Sequence, residues 1–167
     1  MFERLNTPEE LFNYKLGAAL KMEQTVLEML EDNAEAATDS ELEQLFRHHQ
    51  EETREHIANL EKAFQAFGWE PDDSPCPAIE GIEKEGKANV KKADDTLVNA
   101  VLTSGAAETE HHEIAVYEGL VTHAQAMGKG DVVDLLEQNL EVEKHTLEEV
   151  KRAAEKAAAA TSGLSVS

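Results

Sequence analysis

Four long segments of this chain repeat apolar residues at helical spacing, each framed by its own start and stop signals, and the links between them run short, long, short. In "NTPEELFNYKLGAALKMEQTVLEMLEDNA", Thr7 is placed to cap, Pro8 to take the first helical position and Glu10 to close a capping box, which predicts a helix from about Pro8 to Asp32. "TDSELEQLFRHHQEETREHIANLEKAFQAFGWEP" repeats that grammar, with Asp39 or Ser40 as cap and Gly68 and Pro71 as stops. After the proline-rich linker "DDSPCPAI" comes a weak, glycine-interrupted helical stretch, "PAIEGIEKEGKANVKKA". A third long helix follows from "DDTLVNAV" to near Gly128, and a fourth covers "DVVDLLEQNLEVEKHTLEEVKRAAEKAAAA". One domain over residues 1–160 is expected, with 161–167 as a disordered tail.

Short loops make the first and second helices antiparallel neighbours, and likewise the third and fourth, whereas about twenty-five residues separate the second from the third. The expected fold is therefore all-α: an antiparallel four-helix bundle with one long crossover containing a short extra helix, the ferritin-like connectivity. An ordinary up-down bundle would not need the long link. Composition agrees, since 41% of residues are hydrophobic and only 5% aromatic, which suits helices packed on helices. A formal charge of −20 repels nucleic acid and anionic lipid, and no basic stripe is present to neutralise phosphates. Cys76 is the only cysteine, so the chain has neither an internal disulfide nor a thiolate cluster. The start "MFERLNTPEE" has acids and a proline where a signal peptide needs an apolar run, and no stretch is apolar for long enough to span a bilayer. A cytoplasmic location is expected.

The acids within the apolar stripes carry the chemical information. At about 100° per residue, Glu23 falls within roughly 10° of the centre of the first stripe, and Glu143 within roughly 15° of the centre of the fourth. On the second helix His49 and His56 lie near the centre, with Glu52 roughly 70° to one side. The third stripe centres on Glu113, flanked by Glu110 and Tyr117 on one edge and His112 on the other, while Glu108, His111 and Glu118 face solvent. Inward carboxylates, if ionised, each cost several kcal/mol against a total stability of about 5–15 kcal/mol. Salt bridges are the first alternative, but Lys15, Lys21, Arg47, Arg54, Lys62, Lys144 and Arg152 project away from these stripes, and Asp94 to Gly128 holds no Lys or Arg. Shared protons can neutralise some of the acids. The simplest charge-balanced solution is a pair of metal ions held by oxygen and imidazole.

A Glu from each helix plus histidine, in this connectivity, resembles the ferritin-like di-iron carboxylate proteins, which place Glu on two helices and Glu-x-x-His on the other two. The departures are His49-x-x-Glu52 and Glu52-x-x-x-His56 on the second helix, Thr146 three residues after Glu143, and a second acid, Glu113, three after Glu110. "HQEETREHIANLEKAF", "PCPAIEGI" and "EHHEIAVYEGLVTHAQAMG" are similar to the YciE/YciF-type stress proteins, with "H-x-x-E-T" at His49 to Thr53 and "E-H-x-E-I-x-x-Y" at Glu110 to Tyr117; the likeness spans about residues 8 to 152. The resemblance implies a homodimer and a link to oxidative or osmotic stress. The reading is a site of two iron ions, manganese being possible, on Glu23, His49, Glu52, His56, Glu110, Glu113 and Glu143, reacting with dioxygen or peroxide as a ferroxidase or rubrerythrin-like peroxidase. At least one of the two histidines is expected to ligate, Glu110 to bridge or chelate, and Glu113 to replace the histidine that Thr146 cannot supply. Tyr117 is a candidate hydrogen-bond partner of the site or radical site, an ordinary core tyrosine being the alternative. A di-manganese catalase-like enzyme and a structural bundle with a vestigial site stay open.

Overall fold

The computed structural model describes residues 4–72 and 74–162. Five helices account for most of them: α1 (Pro8–Ala36), α2 (Ser40–Ala66), α3 (Pro77–Lys92), α4 (Val98–Ala126) and α5 (Gly130–Ser162), with a 3₁₀ turn at Asp95–Leu97 leading into α4. The capping box forms as read: the Thr7 side chain accepts from the Glu10 amide at 3.1 Å, and the Glu10 carboxylate accepts from the Thr7 amide at 3.2 Å. Asp39, not Ser40, caps α2, its side chain accepting from the Glu41 and Leu42 amides. Gly68 and Gly128 close α2 and α4 in the left-handed region, at φ 72° and 68°, and the amides of Trp69 and Lys129 then return to the carbonyls of Phe64 and Ala124.

Three boundaries differ from the sequence reading. α4 begins only at Val98, since Asp95–Leu97 form the 3₁₀ turn rather than its first α-helical turn. α1 runs one turn beyond Asp32, because Ala34 and Ala36 give the helix apolar surface to pack after its last leucine. α5 continues through Thr161 and Ser162; the rest of the expected tail, 163–167, lies outside the described residues.

Residues 37–39 and 127–129 join α1 to α2 and α4 to α5, so each pair packs antiparallel, and the remaining faces close as α2 on α5 and α1 on α4. The crossover carries α3, which packs against α1 and α4. Its sequence is weakly helical, and docking compensates: Ile79 is fully buried, while Ile82 and Val90 rest on the core. Phe12, Phe67 and Trp69 close one end, the last two stacked at 4.3 Å with Lys129 Nζ 4.6 Å from the Phe67 ring centre. Among the described residues no helix is long and apolar enough to cross a membrane.

Candidate metal centre

Leucines, phenylalanines and alanines fill both ends of the bundle, and its middle layer is polar. Glu23, Glu113 and Glu143 are wholly buried, Glu110 is 2% exposed, and His49 and His56 are 1% and 2% exposed. No Lys or Arg is buried among the described residues, so the two imidazoles are the only cationic partners these acids can have.

Two groups of ligand atoms converge there. His49, Glu110, Glu113 and Glu143 each bring a nitrogen or oxygen to within 4.8 Å of the others, and Glu23, His56 and Glu143 do the same. Glu143 belongs to both, so this α5 carboxylate, rather than Glu110, is the shared group. Its Oε2 lies 3.4 Å from His49 Nε2 and its Oε1 2.9 Å from His56 Nδ1. Glu110 Oε1 approaches His49 Nε2 at 3.4 Å, and Glu23 Oε1 approaches His56 Nδ1 at 3.5 Å.

Whether the residues suit metal ions is decided by what else they bond. His49 Nε2, both ring nitrogens of His56, both oxygens of Glu113, both of Glu143, Glu110 Oε2 and Glu23 Oε2 are buried and lack a hydrogen-bond partner in the protein. Native cores pair such atoms almost without exception, and each one left alone costs about 1–3 kcal/mol or more. Hard carboxylate oxygens together with imidazole nitrogens form a donor set suited to iron or manganese. The residues fit a pair of ions.

Without ions, protons take up the strain. Burial disfavours the charged form of His56, but Glu143 and Glu23 outweigh it and carry the imidazole from the usual 6.5 to about 10. His49 is likewise raised well above the histidine range, burial being overcome by Glu110 and Glu52. Burial, then the charges of Glu143, Glu23 and Glu110, pushes Glu113 well above the carboxylate range. Glu143 moves upward too, chiefly by burial, with His56 pulling it back.

Glu52 departs from the sequence expectation, standing in neither group. Its side chain is 24% exposed, and Oε2 lies 3.0 Å from His49 Nδ1, the ring nitrogen facing away from the centre. The Thr146 hydroxyl lies 3.3 Å from the same nitrogen. His49 holds Glu52 below the usual carboxylate range, and this pairing leaves Nε2 directed at Glu110 and Glu143. Tyr117 is fully buried, and its hydroxyl donates to Glu23 Oε1. Asn139, which the apolar pattern did not single out, donates to that hydroxyl at 3.0 Å. The signal was available: Asn139 lies four residues before Glu143 and therefore on the same helix face.

A family model described as a domain of unknown function, DUF892, matches residues 7–162. The chain belongs to this family. It is 29% identical over 144 residues to Protein YciF of Escherichia coli strain K12, covering 85% of this chain and 87% of YciF. The crystal structure of that stress protein superposes with a TM-score of 0.88 at 27% identity, over 92% of this chain and 98% of YciF. YcfI from Rhodopseudomonas palustris, called a structural protein, gives a TM-score of 0.87 at 33% identity, over 90% of this chain and 98% of its own. A ferritin-like, diiron-carboxylate protein from Bacillus anthracis shares the fold, with a TM-score of 0.71 at 20% identity over 90% and 99% of the two chains. The ferritin-like, all-helical architecture read from the sequence is the observed one.

Proposed function

We propose that this protein is a di-iron carboxylate oxidase of the stress response, oxidising ferrous iron with dioxygen or peroxide. The observation that carries the reading is the pair of ligand groups joined through Glu143, whose buried oxygens and nitrogens have no partners in the protein. Two iron ions held there would supply two electrons on passing from ferrous to ferric, enough to convert one peroxide and two protons to two waters.

The residues contribute in distinct ways. Glu143 draws the two positions together. Glu110 and Glu113 place two anionic groups beside His49, and this charge favours the ferric form. His49 and His56 must give up their protons before a ring nitrogen can ligate, so ion uptake expels protons from the core. Glu52 and Thr146 hold the outer nitrogen of His49, and Tyr117 holds one oxygen of Glu23. Burial of the whole layer keeps bulk water from these groups.

The description of YcfI as a structural protein favours a second reading, a bundle that retains metal without turning it over. Manganese suits the same ligands. Metal analysis of purified protein, followed by ferrous oxidation and peroxide consumption assays, tests the proposal. Bound iron with rapid oxidation supports it, bound iron without oxidation supports the structural reading, and bound manganese with peroxide breakdown supports a catalase-like enzyme. The working unit, by the family resemblance, is a cytoplasmic homodimer, which light scattering on the purified protein tests.

A further inference from the structure

We infer that Asn139 is a positioning residue: by presenting amide hydrogens, and not an acceptor, to Tyr117 it keeps the phenol hydrogen on Glu23 Oε1 and so fixes how the Glu23 carboxylate is turned toward an ion. The role rests on the reading of the centre given above.

Donors and acceptors fix the direction of every link. The Asn139 amide nitrogen lies 3.2 Å from the backbone carbonyl oxygen of His56, which can only accept, so the amide group and not the oxygen of Asn139 faces that side. Its other hydrogen reaches the Tyr117 hydroxyl oxygen at 3.0 Å. Having accepted there, the phenol turns its own hydrogen to its remaining polar neighbour, Glu23 Oε1. The Asn139 oxygen accepts from the Asn59 amide nitrogen at 2.9 Å, and the Asn59 oxygen accepts from Lys62 Nζ at 3.2 Å. An ammonium is a donor only, so the row begins with an obligate donor at the surface and ends on an obligate acceptor in the core. Every link from Lys62 through Asn59, Asn139 and Tyr117 to Glu23 donates inward, and aligned bonds of this kind polarise one another.

Two amides in the row make it a poor proton path, because a carboxamide does not readily pass a proton from nitrogen to oxygen. Its consequence is geometric. Glu23 Oε1 is engaged by Tyr117, whereas Oε2 is buried without a partner. The same asparagine contacts the backbone of His56, the other member of that ligand group, and thereby ties α5 to α2 and α4 at the metal layer.

The test compares Asn139→Asp, Asn139→Leu and Tyr117→Phe with the parent chain. An aspartate presents oxygens to Tyr117, so the phenol donates to residue 139 and releases Glu23. A leucine removes the Asn139 bonds but leaves Tyr117 only Glu23 to donate to. Binding of Zn(II), a redox-silent probe, is followed by calorimetry. Asn139→Asp and Tyr117→Phe should weaken one of two binding events by about tenfold, the size typical of groups that orient a metal ligand, while Asn139→Leu binds within a few-fold of the parent. A merely structural asparagine predicts instead that leucine, which repacks more, is at least as harmful as aspartate.

The second readout needs no metal. In a Tyr14→Phe background, where Tyr117 is the only tyrosine, its Raman doublet should shift from mixed donor and acceptor to donor alone in both Asn139 variants. Zinc uptake with Asn139→Asp indistinguishable from Asn139→Leu, or an unchanged doublet, overturns the role by itself. No zinc uptake by the parent overturns the reading of the centre and this role with it.

Discussion

Glu143 on α5 and His56 on α2 approach to 2.9 Å without forming a well-directed hydrogen bond: neither nitrogen of the ring and neither oxygen of the carboxylate has a hydrogen-bond partner in the protein. Two complementary groups at that distance would ordinarily turn to bond each other. Here their lone pairs are gathered about a common space with Glu23, as donors around an ion are.

Sharing makes Glu143 and Glu23 unequal. Glu143→Ala should lower metal content at both positions, whereas Glu23→Ala should remove only the ion held with His56. Inductively coupled plasma analysis after anaerobic loading checks this. Equal losses from the two variants would show that Glu143 does not bridge the groups.

Glu113 should trade stability for metal. Both its oxygens are buried without partners and its neighbours are acids, so Glu113→Leu should stabilise the metal-free protein by about 1–3 kcal/mol while weakening metal binding. Urea denaturation of chelator-treated protein gives the sign. A destabilised variant would mean that Glu113 is satisfied in the metal-free fold.

The metal-free protein should also lose stability as pH rises. His56 is raised from 6.5 to about 10, and Glu143 and Glu113 are raised as well, so the folded state holds more protons than the unfolded one across that range. For a histidine raised in this way the contribution is complete below pH 6.5 and is lost as pH climbs toward 10. The melting temperature of chelated protein should thus fall between pH 7 and pH 10, and metal-loaded protein should resist the fall, because bound ions have already displaced the protons. Parallel curves with and without metal would contradict this.

The acids at the centres of their apolar stripes were legible because one turn of helix repeats so regularly. Glu23, Glu113 and Glu143 were placed inward from neighbouring leucines and valines, and all three are wholly buried. On α4 apolar periodicity alone misplaces the buried face. Val98 and Val116 helped to set its stripe but are only partly buried, whereas Thr103 and Thr109 are covered, so the true centre lies closer to Glu110 and Tyr117. Apolar periodicity gives buried threonine and asparagine no weight, which is why Asn139 went unseen. Glu52 stands outside both ligand groups for another reason: an angle around one helix does not reveal that His49 turns its outer nitrogen to Glu52 or that α5 brings Thr146 to the same side.

The crossover offers a check on the fold that is independent of metal. A Cβ on Gly17 would lie 2.6 Å from the Asp72 carbonyl oxygen and 2.6 Å from Ser74 Oγ, so Gly17→Ala must push the segment between α2 and α3 away from α1. We expect a loss of about 1–3 kcal/mol despite the better helix propensity of alanine, with metal stoichiometry preserved. Unchanged stability in chemical denaturation would show that this segment packs loosely.

The central claim is that the polar layer is a two-ion site, and anaerobic titration of metal-free protein with ferrous iron tests it most directly. Uptake should saturate at two ions per chain, one for each ligand group, with release of protons to the buffer. Saturation at one ion, or no uptake, would contradict the account.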